Sequence, residues 1–378
     1  MRVRQTVQSR LDTAALPPLA EIAPQLVLVF AAPQFFTDPG FASALGAAFP
    51  GSRRIGLSTA GEIASQGVND NSIVITTVHF DRITFKVAAT DITSMEDSAG
   101  AGKRLAQQLQ GEGLRAVILL SQGVAVNGSD LITGAVGVLG KQIPLTGGLA
   151  GDNGAFTRTW SLLDDTVSAT QMLAIGLYGD AVDFAHGSFG GWQSFGPVRR
   201  ATKAIGNVLY ELDGEPALAI YKRYLGDYAK DLPASGLLFP FAILSGDREE
   251  TGLIRTLLGI DEGAGSLTLA GDIPQNGYLR LMHASTEALV DGAEAAAEAA
   301  QRMAAQNGES LALLVSCIGR KLVMGDRVDE EVEAVGAVFG QGCTLTGFYS
   351  NGEISPFLET TECKLHNQTM TITYLGER

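Results

Sequence analysis

Three short turns along the chain each combine glycine with an acidic residue: Gly61-Glu62, Gly151-Asp152 and Gly352-Glu353. Glycine lets the backbone turn sharply, and a carboxylate can hold a cationic group or accept hydrogen bonds from nearby amides. An acid in such a turn can therefore contact a ligand or brace its own loop. The residue types leave both interpretations open for Glu62 and Glu353.

The segments around these turns predict a repeated strand–helix–strand unit. A shift of 291 residues aligns 56–63 with 347–354, and a shift of 297 aligns 72–76 with 369–373. A weaker copy at 116–152 puts Gly151-Asp152 where Gly61-Glu62 would fall. Internal similarity of this kind is typical of duplication. Because ligands of open α/β sheets bind beyond the carboxyl ends of parallel strands, we expect the turns at a ligand-binding edge.

The length of 378 residues predicts about two domains. The order of strands and helices indicates an α/β fold of two packed domains, with mixed sheets and duplicated βαβ(β) units. We expect a leader segment at 1–25, a first domain at 26–225 and a second at 226–378. The hydrophobic content is 46% and the charged content only 18%, which favours large cores or a buried homo-oligomer interface.

Charge and hydropathy exclude several classes of protein. A net charge of −14 argues against binding nucleic acid. No apolar run approaches the ~20 residues that a membrane-spanning helix needs. The cysteine count of three, at positions 317, 343 and 363, is odd and lacks short paired spacings, which argues against a disulfide framework or a zinc site. A cytoplasmic protein is therefore the expectation.

Known enzyme motifs are not matched. The segment 100–104 resembles a phosphate-binding loop, but Arg104 stands where Ser or Thr would hold magnesium. The segment around His186 lacks the G-x-S-x-G pattern of a nucleophile elbow, and neither HExxH nor CxxC occurs. We therefore predict a protein that is not an enzyme.

Three further side chains stand out as candidates for binding. His186 lies in the Gly- and aromatic-rich segment 186–197 with Trp192, which would suit a flat apolar ligand. His366 precedes the last predicted strand. Cys317 ends a predicted strand at its carboxyl end and could face a ligand, although a buried free cysteine is the commoner outcome.

Several motifs resemble the FIST family of intracellular signal-transduction proteins, which have an N-terminal and a C-terminal FIST domain. The matching segments cover most of the chain in order: GLSTAGEI (56–63), LTGGLAGD (145–152), HGSFGGW (186–192), GNVLYELDGEPALAIYKRYLG (206–226), SCIGRKLVMGDR (316–327), GFYSNGEISPF (347–357) and LHNQTMTIT (365–373). The resemblance makes 26–225 an N-type and 226–378 a C-type FIST domain.

The family resemblance implies a bacterial sensor of small ligands. The chain also resembles the stand-alone NosP-like nitric-oxide-sensing haem proteins, which act on a partner histidine kinase or on cyclic-di-GMP signalling. It thus implies haem b, with His186 or His366 as the iron ligand. The alternatives are a sensor of amino acids or related metabolites without haem, or an uncharacterised enzyme.

The turns and the family motifs together give the predicted ligand-binding residues. They are Ser58, Thr59, Gly61, Glu62, Gly151, Asp152, Asn153, Trp192, Cys317, Tyr349, Asn351, Gly352 and Glu353.

Overall fold

A computed structural model describes residues 1–356 and 362–378. Phe357, the last residue of the motif at 347–357, lies outside the described residues. The chain contains mixed sheets with helices packed on them, which confirms the α/β fold class. Within the described ranges, no helix is long and apolar enough to cross a membrane.

The chain consists of three structural repeats. Repeat 1 contains β1 (Arg2–Gln8), α1 (Pro17–Ala20), β2 (Leu26–Ala31), α2 (Pro33–Phe36), α3 (Phe41–Ala48), β3 (Arg53–Ser58), β4 (Glu62–Ala64), β5 (Gly67–Asn69) and β6 (Ile73–His79). Residues 1–25, expected as a leader segment, thus contribute β1 and α1. Repeat 2 contains β7 (Thr84–Asp91), α4 (Ser98–Leu109), β8 (Leu114–Ser121), α5 (Gly128–Leu139), β9 (Leu145–Leu149), β10 (Ser161–Leu163), β11 (Thr166–Ser168) and β12 (Gln171–Tyr178).

Repeat 3 begins with β13 (Val182–Phe189) and is then interrupted by an inserted unit. That unit contains β14 (Gln193–Ile205), β15 (Val208–Leu212), β16 (Glu215–Pro216), α6 (Ala217–Leu225), β17 (Phe241–Leu244), β18 (Glu250–Arg255), β19 (Leu257–Asp261), β20 (Ser266–Leu269) and β21 (Tyr278–His283). Repeat 3 resumes with α7 (Thr286–Met303), β22 (Ser310–Cys317), α8 (Ile318–Met324), α9 (Asp329–Phe339), β23 (Cys343–Ser350), β24 (Gly352–Pro356), β25 (Cys363–His366) and β26 (Met370–Glu377). Single 3-10 turns occupy 13–15, 95–97, 226–231, 234–238 and 325–327.

The three repeats build three equivalent six-stranded sheets, with strand orders β1-β6-β2-β3-β10-β11, β7-β12-β8-β9-β24-β25 and β13-β26-β22-β23-β4-β5. Each contains one parallel pair: β2 with β3, β8 with β9, and β22 with β23. The last hairpin of every sheet comes from another repeat, so the exchange runs in a closed ring. The βαβ unit of repeat 2, the weakest copy in the sequence, is as complete as the other two.

A single central core joins the three sheets. Leu28, Ile118 and Leu313 occupy equivalent places in the three parallel pairs, and all three belong to one buried cluster. The inner strands are continuous apolar runs because both of their faces are covered. The inserted unit has a separate apolar core and antiparallel strand pairs.

Equivalent glycines explain part of the high glycine content. Gly56, Gly147 and Gly347 lie on the second strand of each parallel pair. A Cβ atom at any of them would lie within 2.2 Å of a carbonyl oxygen on the first strand, namely that of Val29, Leu119 or Leu314. A side chain at these positions would therefore push the paired strands apart.

Candidate functional site

The three turns predicted from the sequence meet at the carboxyl ends of the parallel strands. The Gly151 amide donates to the Ser58 carbonyl at 2.9 Å, and the Ala60 amide donates to the Tyr349 carbonyl at 2.9 Å. The Tyr349 amide in turn donates to the Gly61 carbonyl at 2.8 Å. The turns at 58–62, 149–153 and 349–353, which we call the junction, are thus joined by backbone hydrogen bonds.

The junction is closely packed. The Asn153 amide donates to the Thr59 carbonyl at 3.2 Å, and the Asn351 amide to the Leu149 carbonyl at 3.3 Å. A Cβ atom at Gly151 would lie 2.6 Å from the Ala60 nitrogen, so only glycine fits there. The turns therefore contact one another directly at this point.

Glu62 uses its carboxylate to hold the first turn. One oxygen accepts from the Thr59 hydroxyl, and the other accepts from the Ser72 amide at 2.9 Å and the Ser72 hydroxyl at 2.7 Å. The side chain is fully buried. Burial raises the pKa of Glu62. The three hydrogen bonds oppose that rise, and the charge of the nearby Asp70 adds to it.

Glu353 repeats this arrangement in the third turn. One oxygen accepts from the Ser350 hydroxyl at 2.8 Å, and the other accepts from the Thr369 amide at 3.1 Å and the Thr369 hydroxyl at 2.9 Å. Burial raises the pKa of Glu353 to about 7, against the opposing effect of these hydrogen bonds. Both glutamates therefore have donors from their own repeat around both oxygens, which is the bracing arrangement.

Asp152 is not the counterpart of the two glutamates, so the alignment in the sequence was wrong at this point. In the strand pairing, Glu62 lies opposite Phe348, Glu353 opposite Gly148 and Ser161 opposite Leu57. These three partners occupy equivalent positions on the second strand of each parallel pair, so Ser161 is the counterpart of the two glutamates. The Ser161 hydroxyl donates to the Gln171 carbonyl at 3.0 Å.

Asp152 instead holds the loop that precedes Ser161. Its carboxylate accepts from the amides of Phe156 at 2.9 Å, Thr157 at 2.7 Å and Arg158 at 3.0 Å. This loop is longer than the corresponding turns of the other repeats, which shifted the alignment.

A buried polar cluster behind the third turn was missed in the sequence. Glu331 accepts from the Ser316 hydroxyl at 2.9 Å, from the Tyr349 hydroxyl, and from Arg320 through Nε at 3.0 Å and Nη2 at 2.7 Å. These four side chains are fully buried. Arg320 also donates to the carbonyls of Gly190 and Leu289. The sequence signal that could have indicated this cluster was the spacing of Ser316 and Arg320, four residues apart, together with an acid in the first turn of α9.

Cys317 lies beside this cluster, at the end of β22. Its side chain is 3% exposed and belongs to an apolar cluster, so it is a buried free cysteine. Burial raises the pKa of the Cys317 thiol well above its ordinary value, and the neighbouring Glu353 adds to that rise. A thiol in this state is a poor nucleophile.

Trp192 lines a cavity of about 360 Å³ between the three-repeat body and the inserted unit. We call it the Trp192 cavity; it is lined by Ser188–Trp192, Thr369, Ala242, Glu250–Ile254 and Met282. The Trp192 indole donates to the Gln368 carbonyl at 2.7 Å, which fixes the ring. Thr369 joins this cavity to Glu353, so it lies next to the junction without being part of it.

The two histidines lie in different surroundings. His186, on β13, lines a cavity of about 300 Å³ with Phe184 and Met303. Burial lowers the pKa of His186 to about 4, and its Nδ1 atom has no hydrogen-bond partner among the described residues. His366 is 1% exposed, and its Nε2 lies 2.7 Å from the Ser355 carbonyl. Burial also lowers the pKa of His366 to about 4.

Family models match most of the chain. The FIST N domain matches residues 25–215, and the FIST C domain matches residues 217–356. The chain belongs to the FIST family. FIST domains are generally small-ligand-sensing domains of signal transduction, which is the general role that the resemblance implied.

One protein of similar sequence and one solved structure can be compared with this FIST chain. An uncharacterised protein, MJ1623 of Methanocaldococcus jannaschii, is 35% identical over 95 residues, which are 25% of this chain and 18% of that protein. The crystal structure of a cyanuric acid hydrolase from A. caulinodans aligns over 100% of this chain and 99% of its own, with 10% identity and a TM-score of 0.36.

Proposed function

We propose that the chain is a sensor whose small ligand binds in the Trp192 cavity. The observation that carries this proposal is the lining, because Trp192 and Thr369 come from repeat 3 whereas Ala242 and Met282 come from the inserted unit. A ligand that contacts both units changes the free energy of their relative arrangement. Apolar cavities of this size with a few polar groups are typical ligand sites.

Thr369 gives the cavity a route to the junction. Its hydroxyl and amide both donate to Glu353, while the same residue lines the Trp192 cavity. A ligand that moves Thr369 therefore changes the hydrogen bonds to Glu353 that hold the third turn. We call these hydrogen bonds, and the matching ones to Glu62 in the first turn, the clamps. We propose that the signal passes from there to a separate histidine kinase or cyclic-di-GMP protein in the cytoplasm, without turnover of the ligand. The family resemblance supports this output, and the low charged content of 18% favours a homo-oligomer.

The finer proposal is a haem-based sensor of nitric oxide, with His186 as the iron ligand. Burial keeps the imidazoles of both His186 and His366 neutral at physiological pH, as iron ligation requires. His186 fits better because it lines a cavity and its Nδ1 has no hydrogen-bond partner among the described residues, whereas the Nε2 of His366 contacts a carbonyl. Haem b bound there would supply an iron centre for nitric oxide. Phe184 and Met303 would pack against its ring system.

Trp192 fluorescence tests the sensor proposal directly. The chain has two tryptophans, so Trp160→Phe leaves Trp192 as the only indole. In that variant, a ligand from a screen of amino acids and common metabolites should shift the emission and raise the melting temperature. The matched variant Trp192→Phe should lose the emission response. If a ligand raises the melting temperature equally in both variants and shifts neither emission, the binding site is elsewhere.

An absorption spectrum tests the haem proposal separately. Protein expressed with haem precursor should show a Soret band that His186→Ala removes and His366→Ala retains. A band lost in His366→Ala alone would transfer the ligand role to His366. A colourless protein that still binds a metabolite would favour the haem-free sensor. Turnover that falls in Glu62→Gln or Glu353→Gln would favour the enzyme alternative.

A further inference from the structure

Arg255, at the end of β18, is a buried cation that the proposed sensor site does not use. Its side chain is 6% exposed and lines a cleft of about 630 Å³ between the inserted unit and α5. The Arg255 cleft shares Leu253 alone with the Trp192 cavity among the described residues. Binding in the cleft would therefore be a second property, beyond the proposed function.

The guanidinium of Arg255 contacts neutral groups only. Its Nε donates to the Asp272 carbonyl at 3.3 Å, and its Nη1 donates to the carbonyls of Ile254 at 3.0 Å and Leu365 at 3.5 Å. Within the described part of the chain, no carboxylate lies within 4.0 Å of Arg255, and its Nη2 has no hydrogen-bond partner. The equally buried Arg320, by contrast, contacts the Glu331 carboxylate at 2.7 Å.

Burial lowers the pKa of Arg255 to about 10, against the opposing effect of the Asp272 carboxylate, so the side chain remains charged at neutral pH. A buried charge without a direct ion pair is costly, and an anion in the cleft would reduce that cost. The guanidinium is held in place against Gly271, where a Cβ atom would lie 2.7 Å from Nε. Nη2 is therefore the nitrogen left to donate to an anion, and a charge-assisted hydrogen bond from it to a carboxylate would be strong.

The remaining charged groups of the cleft leave Arg255 as the available cation. Lys141 and Lys364 both pair with Glu362, and the Asp272 side chain is exposed. The other walls are largely apolar, with Ile132, Val136, Leu253 and Leu365. We propose that the Arg255 cleft binds a small organic carboxylate with an apolar body, its carboxylate accepting from Nη2 of the guanidinium.

Calorimetric titration with benzoate, and with benzamide as its uncharged isostere, tests this proposal. Benzoate should bind and benzamide should not. Arg255→Met should weaken benzoate binding by about 10- to 100-fold, the range expected for hydrogen bonds to a charged group. Arg255→Lys should retain part of the affinity because it keeps the charge without the Nη2 donor. Arg248→Met, which removes an exposed arginine of the same unit, should leave the affinity unchanged.

Thermal unfolding separates binding from a purely structural role. Arg255→Met should fold with an unchanged or higher melting temperature, because replacing an uncompensated buried charge by an apolar side chain is often stabilising. It should also lose the benzoate-dependent rise that the wild type shows. The proposal would be overturned if Arg255→Met has a lower melting temperature than the wild type and benzoate does not raise the melting temperature of the wild type. Equal binding of inorganic phosphate and benzoate, or loss of benzoate binding in Trp192→Phe, would also overturn it.

Discussion

The turns of repeats 1 and 3 have the same clamp in different surroundings. Glu62 and Glu353 each accept a hydrogen bond from the hydroxyl of the residue three positions earlier. Each also accepts hydrogen bonds from the amide and the hydroxyl of the residue that precedes the last strand of its repeat, β6 or β26. Behind the clamps, Ser58 in repeat 1 is replaced by Tyr349 in repeat 3. Ser58 donates to the Gly151 carbonyl, whereas Tyr349 donates to the buried Glu331.

The difference shows that a duplicated motif can keep its geometry while its electrostatics change. The three donors recur because the turn needs them to hold its backbone. The pKa depends on everything else near the carboxylate: burial raises the pKa of both glutamates, and that of Glu353 rises to about 7. The acid is also dispensable, since repeat 2 closes its turn with Ser161.

The largest expected effect comes from the cluster that distinguishes repeat 3. Arg320→Met leaves the Glu331 carboxylate buried without its cation. Breaking one side of such a pair typically costs about 3–5 kcal/mol of unfolding free energy. Urea unfolding followed by circular dichroism measures this loss.

The double variant Arg320→Met/Glu331→Leu is the control for this prediction. Removing both charges should recover much of the lost stability, since no ion is then left unpaired. If the double variant is as unstable as the single one, the loss comes from the packing of the Arg320 stem and its carbonyl contacts instead.

A smaller effect, dependent on pH, is expected from Glu353→Gln. A carboxyl group with a raised pKa binds its proton more tightly in the folded state, so its contribution is complete below pH 4.5 and is lost as pH rises to 7. The full loss corresponds to about 3 kcal/mol. The glutamine variant remains uncharged, so it should gain about this amount on the wild type across that range, as measured by urea unfolding.

Glu62→Gln is the matched variant in repeat 1. It should gain in the same direction, because burial also raises the pKa of Glu62, but by less. His186 and His366, with lowered pKa values, lose stability as pH falls below 6.5 in all of these proteins, so the comparison with wild type cancels their contribution. Equal gains in the two variants would show that the surroundings of the clamps do not matter.

The smallest effect is expected from the hydroxyl donors. Ser72→Ala and Thr369→Val each remove one hydrogen bond to a glutamate and keep the backbone amide bond. Each should cost about 1.5–3 kcal/mol, the range for a hydrogen bond to a charged group. Thermal unfolding of the two variants side by side measures this. Unequal losses at a pH where both acids are ionised would mean that the clamps are not energetically equivalent.

Much of the fold was predictable because duplication leaves fixed offsets. The shift of 291 residues correctly paired Glu62 with Glu353, and apolar runs correctly placed the buried strands. Helix ends are readable where a capping residue is clear, as at Ser285, whose side chain accepts from the Ala288 amide at the start of α7. The alignment of repeat 2 with the other repeats was wrong at its turn because a longer loop precedes Ser161. Pairs of glycine and an acid are too common in sequences to reveal such a shift.

Other parts depend on contacts between distant segments, which a single sequence does not show. The inserted unit has short strands with register shifts, so its alternation is weak. Acids in the first turn of a helix such as α9 are typically exposed residues that favour the helix dipole, yet Glu331 is buried on Arg320. The charge of Arg255 within the apolar stretch 253–258 was a usable signal, since a buried arginine needs a partner.

The ring of exchanged hairpins has a consequence for how the chain is made. β13 needs β26 as its neighbour, and β4 needs β23, yet the ribosome completes β26 about 180 residues after β13. At ~5–20 residues per second, the edge of β13 stays open for on the order of 10–40 s. Until the last strand leaves the ribosome, the nascent chain exposes strand edges, and chaperones that cover such edges should raise the yield of soluble protein.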